Sequence, residues 1–118
     1  MDDDDEVLSA LSEALGNLSE QLGVPASARI IFPILENLSQ IPEEEVRRKT
    51  VDSFKKMFIK GNEEYFIGMI KKFSVGEFFS CKMVAIEVAG GVLGKVTSIN
   101  QNEIIRYILI NNGIAIIF

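Results

Sequence analysis

DDDDEVLSALSEALGNL from Asp2, EEEVRRKTVDSFKKMF from Glu43 and GEFFSCKMVAIEVAGGVL from Gly76 are one helical pattern written three times. Each opens on acidic residues and runs on into apolar residues at helical spacing. Laid over one another, Leu15, Phe54 and Val88 fall in register, 39 and then 34 residues apart, and Ser12, Val51 and Ala85 keep the same offsets. Self-similarity at this spacing is the signature of a stacked array of helical hairpins. Such arrays bind other proteins along their ridges and rarely carry chemistry of their own.

Working outward from these stretches, the first places Val7, Leu11, Leu15, Leu18 and Leu22 on one helix face. Its acidic run complements the positive end of the helix dipole. Gly23 supplies a stop, and Pro25 suits the first turn of the next helix. That helix carries Ile30, Ile31, Ile34, Leu35 and Leu38. Pro33 inside it removes a backbone bond and crowds the carbonyl of Arg29, which predicts a kink. After a short loop with Pro42, a third helix from about Glu44 to Ile59 buries Val46, Thr50, Phe54, Met57 and Phe58. Its leading acids and following Arg47, Arg48 and Lys49 permit i,i+4 pairs.

Gly61-Asn62 ends that unit. A fourth helix carries Tyr65, Phe66, Met69, Ile70 and Phe73, and a fifth follows Gly76 from about Glu77 to Leu93. Gly90-Gly91 either weakens the fifth or lets a neighbour pack closely. NEIIRYILI from Asn102 fits helix or strand equally, because isoleucine is β-branched and the run is short. The tail GIAIIF is apolar and uncharged. Short links make neighbouring helices antiparallel. The expected fold is all-α, a right-handed stack of hairpins. Residues 1–96 form the repeat segment, divided into a half repeat at 1–23 and repeats at 24–60 and 61–94. A partial repeat with a divergent apolar end occupies 97–118.

Composition narrows the function. The chain has 118 residues, no His, one Cys and a net charge of −5. Without His the commonest general base and a leading zinc ligand are absent. There is no Gly-rich phosphate loop and no metal-ligand spacing, so no catalytic residue, cofactor or metal is expected. The acidic balance argues against a general nucleic-acid binder, and the cluster Lys55, Lys56, Lys60, Lys71 and Lys72 reads as a solvated helix face. No apolar run reaches the ~20 residues that span a bilayer, and the acidic N-terminus is not a leader, so no membrane partner is expected. The sequons at Asn17 and Asn37 lie within helical patterns and read as chance occurrences. Cys81 reads as a buried helix cysteine. Of the adjacent Phe78 and Phe79, either one is buried and one exposed, or both are partly buried at the hairpin junction.

The segments DDDDEVLSALSEALG, FPILENLSQIPEEEVRRKTVDSF and GEFFSCKMVAIEV resemble the scaffolding (A, regulatory) subunit of protein phosphatase 2A, a HEAT-repeat solenoid. The resemblance runs from residue 2 to about 94 and weakens after Thr97. It implies a scaffold without catalysis. In that family the N-terminal repeats bind interchangeable regulatory subunits, the far C-terminal repeats bind the catalytic subunit, and the loops inside each repeat form the binding ridge. The matching loops here are Asp2 to Glu6, Ile41 to Glu45 and Val75 to Phe78. The partner-binding residues implied are Asp4, Asp5, Glu6, Glu43, Glu44, Glu77 and Phe78. Pro42 replaces one acid of a pair at Glu43, and Phe78 stands where the family has a Trp, which keeps the ring and loses the indole N–H.

The implied partner is a phosphatase regulatory subunit, held weakly by this short array. The catalytic subunit is a partner only where the missing C-terminal repeats are present. The chain reads as a truncated product or reduced paralogue that begins and stops inside repeats. Its compartment is expected to be the cytoplasm, with the nucleus second. The alternative is a small independent helical adaptor unrelated to phosphatase. The uncovered leucine face of the first helix and the apolar C-terminal run predict self-association through the end faces, relieved by deleting residues 104–118.

Overall fold

The structure, a computed structural model, describes residues 2–23, 26–58, 63–76 and 78–113. Among them are six α-helices: α1 (Asp3–Leu22), α2 (Phe32–Leu38), α3 (Glu44–Met57), α4 (Glu63–Ser74), α5 (Phe79–Val92) and α6 (Ser98–Asn111). A π-helical turn, Ser27–Ile31, leads into α2, and a 3₁₀ turn, Leu93–Lys95, follows α5. Helix α3 packs between α1 and α5 in one layer, and α4 packs beside α6 in the other. Phe32 of α2 stacks on Tyr65 of α4 at 4.1 Å between ring centroids, which brings α2 into that second layer. The array is elongated, with principal extents of 46 × 30 × 19 Å. NEIIRYILI resolves as helix, and α6 starts four residues earlier than its apolar run, at Ser98. The Glu63 carboxylate fixes that entry by accepting the Thr97 N–H at 3.1 Å and the Asn100 amide at 2.6 Å.

Aromatic rings fill the space between the layers. Phe32, Phe54, Phe58, Phe66 and Phe73 are buried, and Phe66 meets the rings of Phe32, Phe54 and Phe58 edge-on. Edge-to-face contacts of this kind add ~0.5–1.5 kcal/mol each beyond the area they bury. All five residues read as the buried stripe of α3, namely Val46, Thr50, Phe54, Met57 and Phe58, are inside. On α5 the buried set is Ser80, Cys81, Val84, Ala85, Val88, Ala89 and Val92.

The seam between α1 and α3 is built differently. Helix α1 turns Ser9, Ser12, Gly16 and Ser19 inward, with Leu15 as the one buried leucine of its apolar stripe. Leu11, Leu18 and Leu22 are exposed, and Val7 is 66% exposed. The small residues win the inward face because they let the two helix backbones approach. Ser53 Oγ donates to the Ser12 carbonyl, and Thr50 Oγ1 lies 3.2 Å from Ser12 Oγ. The hydroxyls of Ser12, Ser19, Thr50 and Ser53 each donate to a backbone carbonyl, as buried polar groups require.

Helical backbone runs on from the π turn Ser27–Ile31 into α2, which begins at Phe32 with Pro33 in its first turn, so the missing N–H of Pro33 falls where the hydrogen-bond ladder changes from π to α spacing. Gly23 ends α1 as expected, at φ 77°, with its N–H donating to the Ser19 carbonyl. Pro25, Ile59, Lys60, Gly61-Asn62 and the tail after Gly113 lie outside the described residues.

Candidate partner-binding edge

The three helices of the first layer start along one edge. Asp2 caps α1, its carboxylate accepting the Asp5 N–H at 2.9 Å. Glu43 caps α3, with a longer contact of 3.5 Å from the Glu45 N–H. Phe78 occupies the same position on α5 and offers no side-chain cap. Asp3, Asp4, Asp5 and Glu6 therefore form the first turn of α1. This corrects the expectation of a loop from Asp2 to Glu6: the Asp2 cap and the favourable dipole at a helix N-terminus draw the acidic run into the helix. Glu44 likewise lies in the first turn of α3. Glu77 lies outside the described residues.

The acids of the first two turns converge. Partial burial raises the Asp5 carboxyl above its ordinary value, and the charges of Asp2 and Glu43 push it the same way. The influence of Glu43 shows that the α1 and α3 starts share one negative field. In contrast, Glu45 is held below its ordinary value by its hydrogen bond to Arg48, whose Nε donates at 3.0 Å.

Phe78 is 50% exposed and Phe79 is 71% exposed. Neither ring is buried, contrary to the reading in which one would be. Phe78 is outside the helix on extended backbone, and Phe79 begins the outward stripe that continues through Met83 to Ile86. The buried face of α5 starts one residue later, at Ser80 and Cys81.

Between the second and third turns lies a groove of about 310 Å³ lined by Glu36, Asn37, Gln40, Lys72, Phe78 and Cys81, among others. Its walls are pinned together. Ser80 Oγ donates to the Ser39 carbonyl at 2.7 Å, and Cys81 Sγ donates to the same oxygen at 3.4 Å. Glu36 accepts the Tyr65 hydroxyl at 2.6 Å and Lys72 Nζ at 3.2 Å. Burial, then the Glu36 hydrogen bond and charge, holds the Tyr65 phenol well above its usual range. Burial also raises the Cys81 thiol, with Glu36 adding to the shift. The thiol is therefore a packing group rather than a nucleophile.

The sequence singles out Phe78 and the acids but not Glu36, Asn37, Gln40 and Lys72, which line the groove beside Phe78. They sit near the C-terminal ends of α2 and α4, and the helix starts alone had drawn attention. The signal was present in the cluster Glu36-Asn37 and Gln40, polar residues closing an apolar helix.

Among the described residues no group of three metal-binding side chains exists, and no helix is long and apolar enough to cross a membrane. The arrangement is that of a helical-hairpin repeat array with exposed turns along one edge. Its relatives name the array. The chain is 40% identical over 86 residues to the regulatory A subunit of protein phosphatase PP2A from fission yeast (Schizosaccharomyces pombe), covering 70% of this chain and 15% of that protein. It is 37% identical over 87 residues to the beta isoform of the human 65 kDa regulatory A subunit of serine/threonine-protein phosphatase 2A, covering 70% of this chain and 14% of that one. The PP2A regulatory A subunit of baker's yeast (Saccharomyces cerevisiae) is 31% identical over 113 residues, or 91% of this chain and 18% of that protein. Over the matched segment the chain is homologous to the PP2A regulatory A subunits, and its hairpins are HEAT repeats. It spans less than a fifth of the length of these relatives. No family model matches the chain, and no solved structure matches it.

Proposed function

We propose that this array is a non-catalytic scaffold element of a protein phosphatase 2A complex, docking a regulatory subunit on the edge formed by its turns. The observation that carries the reading is the homology to regulatory A subunits over most of the chain. The exposed Phe78 beside the acidic starts of α1 and α3 supports the choice of edge. Asp4, Asp5, Glu6, Glu43 and Glu44 supply its charge, and Phe78 supplies its anchor. Recruitment of the phosphatase catalytic subunit falls to repeats beyond this segment. The compartment that goes with this role is the cytoplasm, with the nucleus second.

Purified chain, immobilised and exposed to purified PP2A regulatory and catalytic subunits separately, tests the proposal. Weak binding of a regulatory subunit is expected, with neither retention of the catalytic subunit nor turnover of a phosphopeptide by the chain alone. Phe78→Ala should reduce binding by ~2 kcal/mol or more, since buried aromatic anchors dominate interfaces. Glu43→Lys should act less, and mainly at low salt. If Glu43→Lys abolishes binding while Phe78→Ala leaves it intact, the anchor is misassigned. Failure of every PP2A subunit to bind would overturn the scaffold reading.

A further inference from the structure

The groove between the second and third turns has two free amides. Asn37 and Gln40 are both exposed, lie three residues apart on the last turn of α2 and two residues past its end, and line the groove together. Their side chains make no hydrogen bond among the described residues, whereas every neighbouring polar group in the groove is engaged. Glu36 holds Tyr65 and Lys72, and the Ser39 carbonyl takes Ser80 and Cys81. A carboxamide carries both a donor and an acceptor, which is the complement of a backbone peptide group. The half-exposed ring of Phe78 lines the same groove. The turn that leaves Gln40 leads to Glu43 and Glu44, which make no ion pair among the described residues. The cation that lines the groove, Lys72, is already paired with Glu36.

We propose that this groove receives an extended segment of a partner protein. Its peptide groups pair with the amides of Asn37 and Gln40, an apolar side chain packs on Phe78, and a lysine or arginine lies toward Glu43 and Glu44. The inference rests on the docking reading above and adds the chemistry of the docked segment. An extended strand fits better than a helix, because a helix satisfies its own peptide groups and leaves the two amides nothing to read. The basic residue follows from charge complementarity to Glu43 and Glu44 at the start of α3. The pinned walls mean that binding does not have to order the groove first.

The probe is a random dodecapeptide library displayed on phage and selected against the full chain. Enriched peptides should combine one bulky apolar residue with a nearby Lys or Arg, without helical apolar spacing. For a synthetic member, the double variant N37A/Q40A should weaken binding about fivefold to tenfold, the loss expected for hydrogen bonds to neutral groups. F78A should weaken it by ~30-fold or more. Replacing single peptide groups of the ligand by esters should find at least one position that weakens binding to the wild type and has no further effect on N37A/Q40A. Both amides are exposed, so the double variant should melt at the wild-type temperature. Acidic consensus peptides, a helical consensus, no enrichment, or ester substitutions that never couple to N37A/Q40A would each overturn the proposal. A PP2A regulatory subunit that binds wild type and N37A/Q40A equally overturns it while leaving the scaffold reading intact. Peptides that behave as described beside a chain that binds no PP2A subunit support the groove and remove the scaffold reading.

Discussion

Gly16→Ala probes the contact that brings α1 and α3 together. A Cβ added at Gly16 would fall 2.9 Å from the Cα of Ser53 and equally close to its Cβ. The nearest atoms belong to the facing helix itself, so no rotamer change relieves the overlap. The helices must separate, and separation strains the hydrogen bond from Ser53 to the Ser12 carbonyl. Alanine is worth up to ~1 kcal/mol over glycine inside a helix. Overpacking a close contact costs ~1–3 kcal/mol, and weakening a buried hydrogen bond adds ~1 kcal/mol. The net expectation is a loss of ~1–3 kcal/mol. At ~4 °C per kcal/mol for a chain of this size, the melting temperature should fall by ~4–12 °C.

Three other glycines make internal controls. Gly68 in α4 and Gly90 in α5 have nothing within 4 Å of a new Cβ. Their alanine variants should gain ~0.5–1 kcal/mol from helix propensity alone. Gly91 faces the Lys55 side chain, a flexible stem that can swing aside, so Gly91→Ala should change stability little. Thermal and urea unfolding followed by far-ultraviolet circular dichroism gives the four signs. If Gly16→Ala stabilises the chain as much as Gly68→Ala does, the close approach of α1 and α3 is wrong.

Three further outcomes follow from other contacts. Tyr65 has its phenol raised in the fold, so the protonated form is favoured there; its contribution is complete below the unfolded value of about 10 and is lost as pH rises beyond it. The advantage of wild type over Tyr65→Phe, ~1 kcal/mol at neutral pH for a half-exposed bond to a carboxylate, should therefore shrink in alkaline unfolding titrations; a constant difference would refute the Tyr65–Glu36 account. Cys81 is buried with a raised thiol, so Ellman's reagent should label it at the rate of global unfolding, and immediate labelling of the native chain would contradict its burial. Lysine at Leu11 and Leu18 together, both exposed on α1, should leave the helix content unchanged and lower any concentration-dependent association seen in sedimentation; association that persists would clear this face of the role.

The sequence made the hairpin order legible because the repeats carry large apolar residues at fixed spacing. Phe54 and Val88 fall in the core as their common register demands. On α1 the apolar spacing picks out Val7, Leu11, Leu18 and Leu22, and these form the uncovered face; which residues meet α3 was not legible, because the small set of Ser9, Ser12, Gly16 and Ser19 carries no apolar pattern. The resemblance implies a loop from Asp2 to Glu6, whereas the Asp2 cap draws the acidic run into the first turn of α1, where the dipole argument from the residues puts it. At Phe78 and Phe79 the phase was not legible: the buried face begins at Ser80, and nothing in two adjacent phenylalanines reveals that. The C-terminal region inverts an expectation as well. Deleting residues 104–118 would remove most of α6, including buried Ile104, and would unravel the turn that holds the Glu103 carboxylate against Lys71 of α4. That change should expose the α4 face and lower solubility rather than raise it.

The two ends of the candidate edge differ in how firmly they are held, and the difference bears on which part does the recognising. The start of α1 rests on a seam of serines, threonine and glycine, where little apolar area is buried and the bonds are single hydroxyl contacts. The groove beside Phe78 rests on the aromatic core: Phe73 on its wall is buried against Phe54, and α5 is tied to the end of α2 through two donors on one carbonyl. A partner gains affinity from groups whose positions are already fixed, since ordering them costs ~0.5–1.5 kcal/mol per side chain when they are not. Solvated carboxylates such as Asp3, Asp4 and Glu6 act over a distance set by salt and contribute mainly to the rate of encounter. On the proposed docking reading, the acidic run that dominates the sequence would steer a partner to this edge, and selectivity would fall to the less conspicuous groove, where a ring, two free amides and the end of α2 meet.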